Sequence, residues 1–260
     1  MVDSNPQNLF HLGIAIVALW TLIALYTFGT FFYRVKREVK DLINKDHDKT
    51  GSAILTSEIR EWYFDKLQAF EEFFLKIGIS PNQLSCLGFT LSCIAAYLFH
   101  LGWIGTAGWV VLAGGTFDIL DGVIARKSGK CSRGGAYFDS VLDRYADLIV
   151  FAGLVSFYRN TPMVWVVFVA IIGANMVSYT RAKAETEGVS AKVGIMQRPE
   201  RYVFLGFGAL FSDFGNVLLA PWYPNNHFIL MATIIFIAFM SNLTAARRFR
   251  FAYLKLKEIG

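Results

Sequence analysis

Seven apolar runs, each close to the length that crosses a bilayer, dominate the sequence. They cover residues 10–33, 82–101, 103–125, 137–158, 162–186, 200–219 and 227–247. About 20 apolar residues in an α-helix cross roughly 30 Å of hydrocarbon and satisfy their backbone polar groups internally. Because 55% of the residues are apolar and 17% are charged, a soluble globular protein is excluded. The runs predict an all-α fold, a multi-pass transmembrane helical bundle.

The 25 Lys and Arg residues are distributed unevenly among the segments that connect the runs. Arg159 alone falls on one side, where segments 99–106 and 211–227 contain neither residue type. Basic residues are retained in the cytoplasm during insertion. We therefore expect an integral membrane protein with its N-terminus outside and its C-terminus and basic loops in the cytoplasm. Without a basic tail or a nucleic-acid fold signature, the formal charge of +5 does not indicate a nucleic-acid partner.

The layout divides the chain into four regions. These are an extra N-terminal transmembrane helix at 1–34, a cytoplasmic linker with an interfacial helix at 35–80, a six-helix membrane domain at 81–250 and a cytoplasmic tail at 251–260. In the linker, residues 57–77 carry apolar side chains at helical spacing: Ile59, Tyr63, Leu67, Phe70 and Phe74. We expect this stripe to contact membrane lipids. The alternative is a short connector helix packed on the bundle.

Four aspartates interrupt the apolar pattern near the ends of two consecutive predicted helices. Asp118 and Asp121 are spaced i, i+3 and Asp139 and Asp143 i, i+4, so each pair lies on one helix face. Carboxylates gathered at one point repel one another unless hard cations neutralise them, and all-oxygen ligands suit Mg²⁺, Mn²⁺ or Ca²⁺. Helix-end salt bridges would explain one pair but not both. The pattern predicts a metal site, with Asp147 one turn deeper, orienting a ligand or pairing with a basic group.

The aspartates belong to a longer pattern of spaced residues. Asp118-x-x-Asp121-Gly122-x-x-Ala125-Arg126 is followed, after eight residues, by Gly135-x-x-x-Asp139-x-x-x-Asp143. This string resembles the signature of the CDP-alcohol phosphotransferase family, and every signature position is filled. The resemblance implies a six-helix core over about residues 55–250 and a homodimer. It also implies an enzyme that transfers the phosphatidyl group of a CDP-diacylglycerol-type lipid to an alcohol and releases CMP.

Two Mg²⁺ ions, for which Mn²⁺ can substitute, are part of what the resemblance implies. Asp118, Asp121 and Asp139 would hold one ion, and Asp118, Asp139 and Asp143 would share the second. Asp143 is the expected catalytic base for the hydroxyl proton of the acceptor. Whether Asp143 acts mainly as base or as metal ligand stays open.

The nucleotide of the donor lipid is expected beside the first half of the pattern. Gly122, Ala125 and Gly135 carry little or no side chain, so a diphosphate could approach the backbone, and Arg126 could hold one of its oxygens. Close helix packing is another reason for glycine in a membrane helix, and both reasons can hold together. The resemblance adds three nucleotide contacts: Asn82, Ser85 and Ser132.

The acceptor is inferred from basic residues around the fifth and sixth predicted spans. Arg181, Lys183, Arg198 and Arg201 suggest a phosphorylated acceptor, although cytoplasmic retention of basic residues would populate this region anyway. The strings SYTRAKAE and GIMQRPER resemble the phosphatidylinositol phosphate synthase branch, whose acceptor is inositol phosphate. Glycerol 3-phosphate and an unphosphorylated alcohol are alternative acceptors for the same chemistry.

Two other classes of membrane protein are less compatible with this sequence. A transporter or channel would place charges along a path through the membrane, whereas both acid pairs here lie toward one surface. A non-enzymatic lipid-binding or assembly protein would need the arginines but not four acids. The sequence therefore favours a metal-dependent membrane transferase.

Overall fold

The computed structural model describes residues 67–68, 70–191, 193–219 and 227–259, and the regular structure within these ranges is helical. Six long helices follow one another: α1 Pro81–Leu101, α2 Ile104–Lys127, α3 Arg133–Phe157, α4 Met163–Thr186, α5 Arg198–Leu219 and α6 Phe228–Ile259. Each coincides with one of the last six predicted apolar runs. The run at 10–33 lies outside the described residues. Because α6 continues to Ile259, the predicted tail is helical up to that residue.

Four of the helices are long and apolar enough to cross a membrane. Helices α1, α2, α4 and α6 have mean hydropathies of 1.7, 1.4, 1.8 and 2.1 over their most apolar 18 residues. Helices α3 and α5 carry the remaining charged residues of the site described below. The fold is therefore that of a multi-pass helical membrane protein, as the apolar runs predict.

Local capping signals determine where the helices of the site begin and end. Ser80 caps α1, and its side chain forms a reciprocal capping box with Gln83. Gly102 ends α1 at φ 79°, a left-handed conformation that glycine adopts without strain, so the chain turns directly into α2. Ser132 caps α3, where its Oγ accepts a hydrogen bond from Gly135 N–H at 3.0 Å. Ser80 and Ser132 thus cap the starts of α1 and α3 at the aspartate end of the bundle, and Gly102 turns the chain at the opposite end.

Small residues let the helices approach closely. A methyl group added at Gly153 of α3 would lie 2.5 Å from backbone atoms of Ala96 in α1. Gly88 of α1 and Gly114 of α2 face each other in the same way, at ordinary van der Waals distance. Close backbone approach through small residues is a common packing mode between membrane helices. It brings the aspartate-bearing parts of α2 and α3 to the same side of α1.

Helices α2 and α5 are joined near the end of the bundle opposite to the aspartates. Gly105 N–H, at the start of α2, donates a hydrogen bond to Asp213 Oδ2 of α5 at 2.9 Å. Further along, a methyl group added at Gly108 would lie 2.6 Å from Gly206 O, so the two backbones are in contact there. A hydrogen bond and tight packing therefore fix the position of α2 along α5 at this end of the bundle.

The helical stretch at residues 70–77 packs against the end of α2. Glu71 is 6% exposed and pairs with Lys127 Nζ at 2.5 Å. The Phe74 ring meets Phe117 edge-on at 5.9 Å between centroids. Phe70 is 59% exposed, as lipid contact requires, whereas Leu67 is 8% exposed and, like Phe74, does not lie on an exposed face. The stretch has one face on the bundle and a second apolar face that is exposed, and the sequence pattern merged the two.

Candidate active site

Three of the four predicted metal-binding aspartates form one cluster. Asp118 and Asp121 from α2 and Asp139 from α3 each offer a carboxylate oxygen, and these oxygens lie within 4.8 Å of one another. Asp121 is 4% exposed. Asp139 Oδ1 is buried and accepts no hydrogen bond from the described residues. An all-oxygen set with an unsatisfied buried oxygen fits a hard divalent cation, so these residues suit the metal that the sequence predicts.

The fourth aspartate, Asp143, is bound to an arginine instead. Arg198 Nη1 lies 2.6 Å from Asp143 Oδ1, and the same nitrogen pairs with Asp118 Oδ1. Arg198 Nε reaches Asp147 Oδ1 at 3.3 Å. The sequence predicts Arg198 in the acceptor pocket; in the structure its guanidinium lies between two carboxylates that are predicted metal ligands.

Arg201 and Asp147 form a buried ion pair behind this contact. Arg201 Nη2 lies 2.5 Å from Asp147 Oδ2, and the two side chains are 2% and 6% exposed. Of the two roles predicted for Asp147, the structure supports pairing with basic groups. Arg201 Nε and Nη1 are buried and have no hydrogen-bond partner in the part of the chain that the structure describes. Such donors are costly to bury unless a ligand or water accepts from them.

A third buried arginine, Arg248 of α6, is absent from the sequence prediction. Its Nε donates to Val193 O and its Nη1 to Val177 O, both at 2.7 Å. Its Nη2 is buried and unpartnered among the described residues. Arg248 lies within electrostatic range of Arg201 and Arg181. Two buried arginines with unsatisfied N–H groups therefore lie near each other, and one of them, Arg201, is paired with Asp147.

Arg248 could have been distinguished from its neighbours by its register on α6. The buried residues of that helix recur at three- and four-residue spacing, and Arg248 follows Thr244 and Ala245 in the series while Arg247 and Arg250 are exposed. A charged residue on the buried face of a membrane helix is a signal of function.

The other two predicted acceptor residues have different surroundings. Arg181 Nε pairs with Glu185 at 2.9 Å, and Lys183 Nζ pairs with Glu187, each one turn along α4. The Arg181 and Lys183 side chains are 40% and 57% exposed. The predicted basic cluster is thus split: two residues are buried against the aspartates, and two form exposed pairs on one helix.

Ser85, a predicted donor contact, lies within the acidic cluster. Ser85 Oγ donates to Asp121 Oδ2 at 2.5 Å, and Ser85 is 8% exposed. Ala125, one turn beyond Asp121 on α2, is half-buried. In this structure Ser85 orients a carboxylate of the metal cluster.

The remaining predicted donor contacts lie at the outer edge of the site. A methyl group on Gly135 would lie 3.0 Å from Ser132 Oγ and 3.5 Å from Asn82 Oδ1, so these three residues adjoin. A methyl group on Gly122 would lie 3.4 Å from the guanidinium of Arg126, which is exposed. Asn82, Arg126 and Ser132 are exposed, and Gly122 and Gly135 are half-buried.

A small cavity among α1, α2, α3 and α5 adjoins the acidic cluster. It is lined by Ser85, Gly88, Phe89, Gly114, Asp118, Asp139, Leu142, Asp143, Ala146 and Arg198. Its volume of about 10 Å³ is enough for a water molecule or an ion beside the carboxylates.

Comparison with known sequences identifies similar proteins over most of this region. The sequence model of the family described as CDP-alcohol phosphatidyltransferase matches residues 78–250. An archaetidylinositol phosphate synthase of Pyrococcus horikoshii is 34% identical over 160 residues, which are 61% of this chain and 84% of that protein. A phosphatidylinositol phosphate synthase of Mycobacterium tuberculosis is 36% identical over 155 residues, 58% of this chain and 70% of that protein.

Solved structures show the same likeness. The crystal structure of a Mycobacterium tuberculosis phosphatidylinositol phosphate synthase with CDP-DAG bound has a TM-score of 0.62 and 30% identity, covering 71% of this chain and 92% of that one. The same enzyme in complex with manganese and citrate matches with a TM-score of 0.62 over 71% of this chain and 88% of that one. At 30% identity the likeness includes the amino-acid sequence as well as the arrangement of the helices.

Proposed function

The chain belongs to the CDP-alcohol phosphatidyltransferase family, and we propose that it transfers the phosphatidyl group of a CDP-diacylglycerol-type lipid to a hydroxyl of inositol phosphate, releasing CMP. The chain is an enzyme of phospholipid biosynthesis, and the acceptor is the specific part of the proposal. The acceptor and the roles of individual residues are supported by the contacts described above.

The acidic cluster is suited to the diphosphate of the donor lipid. Asp118, Asp121, Asp139 and Asp143 would hold two Mg²⁺ ions, with Mn²⁺ as a substitute. Ions bound there draw negative charge from a diphosphate and from the leaving CMP. Ser85 keeps the Asp121 carboxylate in place through its 2.5 Å hydrogen bond. Around this cluster, Gly122, Ala125, Arg126, Gly135, Asn82 and Ser132 would contact the nucleotide diphosphate.

Asp143 is the proposed catalytic base. The acceptor hydroxyl would lose its proton to a carboxylate oxygen of Asp143 while its oxygen attacks the phosphorus of the phosphatidyl group. The bond from that phosphorus to the bridging oxygen then breaks, and CMP leaves with the electron pair. Asp143 lies next to Asp118 through their shared partner Arg198, which supports a position beside the metal cluster.

One observation carries the choice of a phosphorylated acceptor. Arg201 and Arg248 are each 2% exposed, and both hold buried N–H groups without a partner among the described residues. A phosphate offers several charged acceptor oxygens and satisfies such donors in a way that a neutral hydroxyl group does not. Two of the similar proteins are an archaetidylinositol phosphate synthase and a phosphatidylinositol phosphate synthase, which supports inositol phosphate over glycerol 3-phosphate as the acceptor.

The proposal is tested by an acceptor panel. Detergent-purified protein is incubated with CDP-diacylglycerol, Mg²⁺ and, separately, inositol phosphate, glycerol 3-phosphate and free inositol, and the lipid product is identified by mass spectrometry. We expect a phosphatidylinositol phosphate product and release of CMP with the first acceptor. A preference for free inositol or glycerol 3-phosphate would contradict the acceptor assignment but not the family chemistry.

We also propose that the active site and the C-terminus face the cytoplasm and that the N-terminus lies outside after a first span within residues 1–34. The uneven distribution of Lys and Arg supports this orientation. Tags before Asp3 and after Gly260 should be accessible from opposite sides of the membrane. Accessibility of both tags from one side would contradict this orientation.

The homodimer that the family resemblance implies stays a prediction, to be checked by cross-linking in native membranes.

A further inference from the structure

The Arg198 guanidinium lies where it can neutralise several carboxylates at once. Its Nη1 pairs with Asp118 Oδ1 and, at 2.6 Å, with Asp143 Oδ1, while its Nε lies 3.3 Å from Asp147 Oδ1. The ring of Tyr202 packs below it, with 4.9 Å between the guanidinium carbon and the ring centroid. Only 13% of the Arg198 side chain is exposed. Arg198 is therefore a buried cation held by three acids and an aromatic ring.

Asp118 and Asp143 cannot give the same oxygens to Arg198 and to a divalent ion. Both oxygens already accept from Nη1, and a second cation at this position would face the positive guanidinium at contact distance. The cluster of Asp118, Asp121 and Asp139 lies beside this contact and does not include Asp143. Arg198 thus contacts one of the three ligands of the first ion position, Asp118, and two of the three ligands of the second, Asp118 and Asp143.

We propose that Arg198 is a built-in counter-ion for the second metal position. When the second ion binds, Arg198 releases Asp118 and Asp143 to that ion, and its Nη groups then bind the acceptor phosphate. This inference rests on the proposed function. The second ion would compete with Arg198 for both Asp118 and Asp143, whereas the first would meet Arg198 at Asp118 alone.

The remaining contacts of Arg198 indicate how it can yield without leaving the site. Its Nε contact with Asp147 and its packing on Tyr202 do not involve the metal-binding oxygens. Asp147 is itself fixed by Arg201 at 2.5 Å. The base of the guanidinium therefore stays anchored while its Nη end is displaced. The unpaired N–H groups of Arg201, and of Arg248 near it, are further donors for a bound phosphate.

Metal titration without substrates tests the competition. Mn²⁺ binding to the full-length, detergent-purified protein is measured by calorimetry and by the electron paramagnetic resonance signal of free Mn²⁺. Wild type should show one stronger and one weaker site. Arg198→Gln should tighten the weaker site by about 10-fold or more, because a charge-assisted contact with its ligands no longer has to be broken. The stronger site should change much less.

Matched control variants distinguish the effect of losing the Arg198 contacts from the effect of losing one positive charge near the site. Arg201→Gln removes the same charge from the neighbouring position on α5, where the contact is with Asp147 alone among the acids of the site. Arg144→Gln, at a half-buried arginine that donates to Ser178 Oγ at 2.5 Å, serves if Arg201→Gln does not give a monodisperse protein. If these substitutions tighten the weaker site as much as Arg198→Gln, or if Arg198→Gln does not tighten it, the proposal is overturned.

A second measurement tests the release toward the acceptor. Without donor lipid, Mn²⁺ should strengthen inositol phosphate binding to wild type and should strengthen it several-fold less in Arg198→Gln. Equal strengthening in both proteins would contradict the release. Failure of inositol phosphate to bind at all would contradict the proposed acceptor, while the Mn²⁺ titration would still decide the competition at the second site.

Discussion

The acidic and basic halves of the site are built in different ways. The acids come from α2 and α3, which follow each other directly, and all four lie between positions 118 and 143. The arginines come from α5 and α6, and their positions depend on how α5 packs against α2 and how α6 packs against α4. In the acidic half the helix period places each pair of aspartates on one helix face, whereas the arginines meet only after α5 and α6 have packed into the bundle. Substitutions in the two halves should therefore have different kinetic consequences.

The largest effect is expected in the acidic half. Asp118→Asn or Asp139→Asn should abolish turnover, because each removes a charged ligand from the metal cluster. Activity with CDP-diacylglycerol should likewise be lost in excess chelator and return with Mg²⁺ or Mn²⁺. Asp213→Asn, which removes a carboxylate at the opposite end of the bundle but keeps an acceptor for Gly105 N–H, is the matched control and should remain active. Full activity in chelator would refute the metal site.

Asp143 should separate chemistry from donor binding within the same half. Asp143→Asn is expected to leave CDP-diacylglycerol binding measurable while turnover stops, because the base is lost and three other aspartates still form the cluster. Donor affinity is measured by equilibrium binding in the presence of Ca²⁺ or Mg²⁺, and turnover by CMP release. If affinity and rate fall by the same factor, Asp143 is chiefly a ligand.

The basic half should respond through the acceptor alone. Arg201→Gln or Arg248→Gln removes a charge-assisted contact and should raise the acceptor KM by about 10- to 150-fold. The KM for the donor should stay near that of wild type. Steady-state kinetics with each substrate varied in turn provides the measurement, with circular dichroism and gel filtration as checks of folding. A parallel rise in both KM values would mean that the two halves are not functionally distinct.

The smallest effect is expected at the exposed cations of α4. Arg181→Gln and Lys183→Gln break pairs with Glu185 and Glu187 on the helix surface, so both kinetic constants should stay within about twofold of wild type. The same kinetic assay applies. A rise in acceptor KM as large as that of Arg201→Gln would extend the basic half to the α4 surface and restore the four-residue pocket that the sequence predicts.

The acidic half could be predicted from the sequence because its geometry is local. Spacings of three and four residues determine which carboxylates share a helix face, and two apolar runs joined by a short connection place both faces at one end of the bundle. The structure brings Asp118, Asp121 and Asp139 together as predicted. The position of Asp143 against Arg198 could not be predicted, because it depends on how α5 packs on α2 and so brings Arg198 to Asp143 of α3.

The basic half was predicted less well, because the positions of its arginines also depend on how the helices pack. Sequence density groups Arg181 and Lys183 with Arg198 and Arg201, but density does not distinguish the exposed end of α4 from the buried start of α5. Arg248 is 47 positions beyond Arg201 and reaches the site only because α6 packs along α4. The sequence signal for Arg248 was its position on the buried face of α6. A count of basic residues did not distinguish it from the neighbouring exposed arginines.

The two joints between α2 and α5 set a limit on how the chain can vary in length. Gly105 meets Asp213 at one end of the helix pair and Asp118 meets Arg198 at the other. An inserted residue in either intervening stretch would move one joint by about 1.5 Å and rotate it by about 100° relative to the other. The two stretches, 105–118 and 198–213, are therefore expected to tolerate exchanges of side chains but not insertions or deletions. Length variation should concentrate in the connections between helices, where neither joint is affected.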